Sequence, residues 1–308
     1  MKEFDYLYEK IKNSTFSNAP FKHIYLTDLF SEEHFDAILK SKEIDLKGYS
    51  KTEELIDDIK NKGYQAITFP GTTTNEKEYL DWYKTRNNNT HGNANTCEGV
   101  GITYRLKSFE TDFLSRVHAF FQSEKMKQLL CEKFQLDLNN QKIEGGIQKY
   151  LDGYEISPHP DIRKKSLTWM ININPMKNSE TLCIHTDYLK FIEKYEYIVP
   201  FWKHNRQIER CWVPWDWTEK VYSQTLNNSM VIFSPDCDTL HAVKLNYNHL
   251  NGQRTQIYGN LWAVKIDMSE SCWWDDLIIQ PKSNNTLYRK MISAMPVSIR
   301  NMAKKLKA

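Results

Sequence analysis

The chain has 308 residues, a formal net charge of +2, 40% apolar residues and 13% aromatic residues. That apolar content and near-neutral balance exclude a disordered chain and a polyanion binder acting through bulk charge. The length accommodates one large domain or two ordinary ones with a sizeable core.

The six cysteines (Cys97, Cys131, Cys183, Cys211, Cys237 and Cys272) form no CxxC and no close pair, which argues against a zinc knuckle or a disulfide framework. The opening stretch MKEFDYLYEKIKNS lacks the apolar run of a signal peptide, and no segment reaches the eighteen or so apolar residues of a membrane span. The expectation is a soluble, cytoplasmic protein with no transmembrane segment.

In chain order, FKHIYLTDLF (21–30) alternates like a strand, and SEEHFDAILKSKEI opens with Ser31 as N-cap of an amphipathic helix. A short helix is expected over 53–62. The Asn-, Gly- and Thr-rich stretch 84–101 reads as a loop, and two helices fit 109–121 and 123–134. From residue 141 the character changes. Seven short strand-like runs (142–151, 165–175, 180–188, 209–215, 229–235, 241–247 and 254–267) follow, separated by Gly, Pro, Asn and Asp turns. With no helix pattern between them they predict an antiparallel sandwich or barrel. Residues 284–308 carry six Lys or Arg and no acid, a basic tail that packs as a solvated helix or meets an acidic partner or membrane surface.

The chemistry concentrates in YEISPHPDIRKKSLTWMININP (154–175). In an extended segment residues i and i+2 share a face, so His159 and Asp161 can present an imidazole and a carboxylate to one point, and Pro160 biases its predecessor toward extended geometry. A second imidazole completes a 2-His-1-carboxylate facial triad, the donor set of Fe(II) sites that keep positions open for a co-substrate and O2. His241, leading the run HAVKL, supplies it. Thirteen residues on, Arg254 can grip a carboxylate with two parallel hydrogen bonds. The pair His185 and Asp187 in HTD is the rival for the first two ligands. It is followed by YLKFIEKYEY instead of a Thr-bearing strand ending in Asn, and it lacks the upstream Tyr-x-x-Gly.

The pattern Tyr150, Gly153, His159, Asp161, the strand SLTWMININP, then His241 and Arg254 resembles the iron(II)- and 2-oxoglutarate-dependent dioxygenases, particularly their prolyl-hydroxylase-like branch, over roughly 143–266. The resemblance implies a double-stranded β-helix, or jelly-roll, cupin-like core. It further implies Fe(II) held by His159, Asp161 and His241, with 2-oxoglutarate and O2 as co-substrates. Arg254 would hold the far carboxylate of 2-oxoglutarate and Tyr150 would hydrogen-bond to it. Gln148, Thr168 and Asn172 share the inward parity of neighbouring strands and complete the expected cofactor-binding set. The implied activity is hydroxylation of an unactivated C–H with release of succinate and CO2. The chain departs from the family in three places: NSETL opens the strand after Asn172, about twenty extra residues span 190–210, and Gln256 stands where many relatives have Ser.

The expected organisation is a single domain: 1–140 as a mixed α/β flank with helices, 141–267 as the jelly-roll catalytic core and 268–308 as the basic tail. Arg163, Lys164 and Lys165 read either as a solvated turn or as a clamp for an acidic substrate. Trp212, Trp215, Trp217, Trp273 and Trp274 read as packing or as ring-stacking surfaces. A small molecule, peptide or saccharide remains open as substrate, whereas nucleic acid is disfavoured by the near-neutral charge. Two other readings stand beside the oxygenase: a cupin-like metalloenzyme of another reaction class, which would not need Arg254, and a non-enzymatic jelly-roll module for a ligand or glycan.

Overall fold

The computed structural model of the chain describes residues 2–68, 72–85, 101–206, 208 and 212–266. The basic tail, Trp273, Trp274 and most of the 84–101 loop lie outside the described residues.

The first half supplies α1 (Asp5–Asn13), β1 (His23–Leu26), α2 (Glu32–Leu39), α3 (Thr52–Asn61), β2 (Tyr64–Ala66), α4 (Glu76–Thr85), β3 (Thr103–Leu106), α5 (Asp112–Phe121) and α6 (Glu124–Phe134). Helix starts are fixed by local chemistry. Ser31 accepts from the His34 amide at 3.3 Å and Ser123 from the Met126 amide at 3.2 Å, each satisfying one of the orphan N–H groups of a first turn. At α5 the capping acceptor comes from elsewhere in the chain. The buried Glu43 carboxylate accepts from the Glu110 and Thr111 amides, both at 2.8 Å.

The second half contributes β4 (Gln141–Tyr150), β5 (Glu155–His159), β6 (Lys165–Asn172), β7 (Thr186–Phe191), α7 (Ile198–His204), β8 (Thr218–Ser223), β9 (Met230–Phe233), β10 (His241–Lys244) and β11 (Arg254–Ala263). They pair into a seven-stranded sheet, β1-β9-β6-β11-β4-β3-β2, and a four-stranded sheet, β5-β10-β7-β8, antiparallel throughout. From β4 to β11 the chain passes back and forth between the sheets and leaves four strands in each. That winding is a jelly roll. Strands β1, β2 and β3 of the N-terminal region widen the larger sheet.

The two faces of the larger sheet differ. Leu167, Trp169, Ile171, Ile147, Ile257 and Leu261 share a core with Leu7 and Ile11 of α1, Leu114, Val117 and Phe121 of α5, and Leu130 of α6. On β11 the alternate positions Arg254, Gln256, Tyr258, Asn260 and Trp262 turn inward to a cavity between the sheets. Period-two alternation thus separates a packed apolar face from a polar one that lines the cavity.

Two of the seven expected runs are corrected. Residues 180–188 begin in a 3-10 turn (Ser179–Thr181) and enter β7 only at Thr186; of the run 209–215, residues 209–211 lie outside the described residues, and 212–214 lead into another 3-10 turn (Trp215–Trp217) instead of a strand. Strand β8, TEKVYS, went unpredicted because it is an edge strand whose Glu219, Lys220 and Val221 are exposed, with no apolar alternation to betray it. The extra segment at 190–210 contains α7, which packs Ile198 and Trp202 on Leu189, Phe191 and Leu240 beside the smaller sheet. Arg163 reaches across to the end of α7 and donates to the carbonyls of Trp202 at 2.5 Å, Asn205 at 3.3 Å and Ile208 at 3.1 Å. It therefore staples the insertion to the loop after His159 instead of forming part of a solvated turn.

Candidate metal centre and anion pocket

A turn through Asp152 and Gly153 carries the chain from β4 in one sheet to β5 in the other. Gly153 has φ +85°, and a Cβ there would lie 2.0 Å from the Trp82 ring, so both the conformation and the space require glycine. Strand β5 then pairs with β10 so that His159 lies opposite His241. Their rings are 4.3 Å apart, and one donor atom from each, with a carboxylate oxygen of Asp161, falls within 4.8 Å of the others.

The hydrogen bonds orient each donor. His159 Nδ1 donates to the Ser157 carbonyl at 2.8 Å and His241 Nδ1 to the Thr239 carbonyl at 3.1 Å. Because a carbonyl only accepts, both Nδ1 atoms carry the proton and both Nε2 lone pairs are free. The arrangement is the usual support for metal-bound imidazole. Burial, reinforced by His241, pushes the His159 pKa down to about 3, and burial also lowers that of His241, so both rings are neutral. The Nε2 atoms stand 3.9 Å from Asp161 Oδ1 and Oδ2 respectively.

Asp161 is itself held from both sides. Lys165 Nζ donates to Oδ1 at 2.5 Å and Thr168 Oγ1 to Oδ2 at 2.6 Å. Burial would raise its pKa, but the charge of the Lys165 ammonium and the hydrogen bond it donates outweigh burial and hold the carboxyl well below the usual range. Burial likewise works against the charge on Lys165, yet Asp161 and the Tyr258 hydroxyl, at 2.9 Å, keep its ammonium above the ordinary lysine value.

The cavity that contains these groups encloses about 690 Å³ and extends to Arg254. Arg254 leaves the larger sheet, crosses to the smaller one and donates through Nη2 to Thr186 Oγ1 at 2.9 Å, while its guanidinium lies 4.4 Å above the Tyr150 ring. The residue is 2% exposed, no carboxylate pairs with it among the described residues, and its Nε has no partner. A buried guanidinium with an idle donor is costly unless an anion arrives to complete it.

The remaining expected residues divide. Gln148 spans Tyr150 and Arg105, its amide N donating to the Tyr150 hydroxyl at 2.5 Å and its oxygen accepting from Arg105 at 2.7 and 3.1 Å. Asn172 does not line the cavity. Its Nδ2 is committed to the carbonyls of Gln224 and Leu226, and its Oδ1 accepts from Gln256 Nε2 at 2.9 Å, so it holds Gln256 instead of a ligand. Of the tryptophans, Trp212 packs 5.0 Å from His159 and lines the cavity, Trp215 bonds to Glu155, and Trp217 stacks on Tyr195.

Sequence reasoning missed Thr186 and the Arg105 and Glu144 pair, and it left open the buried position of Lys165. Parity stepping from Arg254 along β11 identifies Tyr258 and Asn260, and stepping from Tyr150 along β4 identifies Glu144. Arg105 had no such signal, because it enters the site only through the pairing of β3 with β4.

The rival pair stays apart from the cavity. His185 bonds to the Glu180 carbonyl at 3.2 Å, and Asp187 accepts from Ser223 and lies 3.5 Å from Lys220; only Thr186 between them turns inward.

No family model and no curated protein matches the chain. Among solved structures it is similar to a prolyl-4-hydroxylase from Pseudomonas putida, at 9% identity and a TM-score of 0.40, over 84% of this chain and 97% of that one. It is similar as well to a Trichoplax adhaerens prolyl hydroxylase in complex with a hypoxia inducible factor oxygen degradation domain peptide, at 11% identity and a TM-score of 0.41, over 84% and 88%. A third is the non-heme alpha ketoglutarate dependent epimerase SnoN from nogalamycin biosynthesis, at 8% identity and a TM-score of 0.39, over 83% and 82%. At such values the jelly-roll assignment stands on the strand order itself. No helix among the described residues is long and apolar enough to cross a membrane.

Proposed function

We propose that the protein is an iron(II)- and 2-oxoglutarate-dependent oxygenase that hydroxylates an unactivated C–H of its substrate, releasing succinate and CO2. The observation that carries this reading is the combination, in one cavity, of two neutral imidazoles with free Nε2 atoms, an ionised carboxylate, and a buried arginine with no carboxylate partner among the described residues. A metalloenzyme that activates water has no use for that arginine.

In this reading His159, Asp161 and His241 hold Fe(II), which supplies the O2 chemistry when bound. Ser157 and Thr239 fix the imidazole tautomers through their carbonyls. Thr168 and Lys165 each take one oxygen of Asp161, which fixes the carboxylate plane. Arg254 Nε accepts the role of anchoring the distal carboxylate of 2-oxoglutarate, with the Tyr150 hydroxyl as a second donor, since Gln148 already donates to that oxygen. Burial of Arg254 strengthens the pairing, because water cannot compete for it. The apolar wall of Trp212 and Ile156 excludes water from the reacting centre.

The test is anaerobic addition of Fe(II) and 2-oxoglutarate to the purified protein. A weak metal-to-ligand charge-transfer band in the visible is expected, and its absence from the wild-type protein would sink the proposal.

A further inference from the structure

We infer that the substrate is a carboxylate-bearing monoanion, and that Lys165 binds its negative charge beside the metal. This rests on the oxygenase reading and extends it to substrate class.

The argument begins with the charges that line the cavity. Among the described residues these are three cations, Arg105, Lys165 and Arg254, and two anions, Glu144 and Asp161; the two imidazoles, each with its Nδ1 proton on a carbonyl and its Nε2 lone pair turned to the metal position, add none. Arg105 and Glu144 pair directly, and Glu144 also accepts from Asn260 at 3.1 Å and Trp262 at 3.2 Å, so that pair is complete in itself. Lys165 and Asp161 form the second pair and Arg254 is left over. A divalent metal and a dianionic co-substrate add equal and opposite charge, and the co-substrate's far carboxylate is consumed by Arg254. Counted over the described residues, the loaded cavity still carries one surplus positive charge.

That surplus falls on Lys165. Once Asp161 donates to a dication, its charge is shared with the metal and no longer balances the ammonium 2.5 Å away. The ammonium cannot retreat to water, because its side chain is only 10% exposed. Tyr258 accepts one of its hydrogens at 2.9 Å, and the Tyr258 and Trp262 rings stand 5.6 and 5.7 Å from it. With Asp161 and Tyr258 each taking one hydrogen, the third is available to a ligand. A desolvated charge of this kind is satisfied by an anion of matching charge. One surplus unit selects a carboxylate over a doubly charged phosphate. The aromatic surface beside it, Tyr258 and Trp262, with Trp212 elsewhere on the cavity wall against His159, suits an apolar or aromatic skeleton.

The experiment uses the anaerobic Fe(II) and 2-oxoglutarate complex and follows perturbation of its visible band by phenylacetate and indole-3-acetate, each beside its neutral amide. The carboxylates are expected to bind about tenfold or more tightly than the amides. In Lys165→Gln and Lys165→Met the preference is expected to shrink to within about twofold, and in Lys165→Arg to persist. The band itself shows whether each variant still loads metal and co-substrate. A wild-type band with no preference for either carboxylate overturns the inference while leaving the oxygenase reading intact, as does a preference that survives in a loaded Lys165→Gln. If both neutral variants fail to load, the wild-type comparison alone decides. A missing wild-type band overturns the oxygenase reading, and the inference with it.

Discussion

His159-Pro-Asp161 and His185-Thr-Asp187 are the same chemical pattern, one at the end of β5 and the other at the start of β7, two strands that flank the same neighbour, β10, and only the first brings its histidine and aspartate together with His241. On β5 the register sets His159 opposite His241, and the loop after it returns Asp161 to the same point, under Thr168 and Lys165 of β6. On β7 the register sets Tyr188 opposite His241, so the inward positions are Thr186 and Tyr188 while Asp187 turns to Ser223 and Lys220 on the edge strand. A shift of one residue in a strand exchanges its faces. The contrast shows that a metal-binding dipeptide pattern is only as good as the phase in which its strand meets the sheet.

The largest expected effect breaks or keeps this contrast outright. His159→Ala should abolish the anaerobic charge-transfer band, whereas His185→Ala should leave it at wild-type intensity; the opposite result would move the metal to the HTD pair. Next comes Arg254, the buried guanidinium on the same inner face. Arg254→Met should weaken 2-oxoglutarate binding by about 100-fold or more. It should also raise the stability of the unliganded protein by about 1 kcal/mol or more, because a buried charge without a carboxylate partner is removed. Loss of binding with loss of stability would mean that Arg254 is structural. Calorimetric titration and thermal melts read the two effects separately.

The smallest effect concerns the opposite face of β4. Lys149 is buried there, donating to the Ile44 carbonyl at 2.8 Å and Thr255 Oγ1 at 3.1 Å, and burial pushes its pKa down from 10.5 to about 7. Between those values the unfolded chain binds a proton that the folded one does not, so Lys149 makes stability rise with pH from about 7 toward 10.5. Below the folded value both states are protonated and the slope ends. Denaturant midpoints measured from pH 7 to pH 9 should show this rise in the wild type and a flatter profile in Lys149→Met. Equal slopes would mean that the amine stays charged when folded.

Much of the molecule could be read locally. The Ser31 cap, the amphipathic repeats of α5 and α6, and the alternation of β4, β6 and β11 are short-range signals, and each appears where its pattern predicts. Strand β8 and helix α7 were not legible. The first is an exposed edge strand, and the second is short and gains its stability from packing on Leu189 and Phe191 rather than from its own propensity.

By itself, the sequence determined the candidates: which residue types carry metal-binding and carboxylate-binding chemistry, and which positions along each strand share a face. Only the tertiary structure decided which face is inside. It chose between the two His-x-Asp pairs, drew Asn172 away from the cavity to hold Gln256, brought Arg105 in from β3, and buried Lys165 against Asp161. The physical reason is that parity is set by neighbours two residues apart. The phase that makes one parity face a cavity is set by pairing between strands tens of residues apart, and by the core that covers the other face.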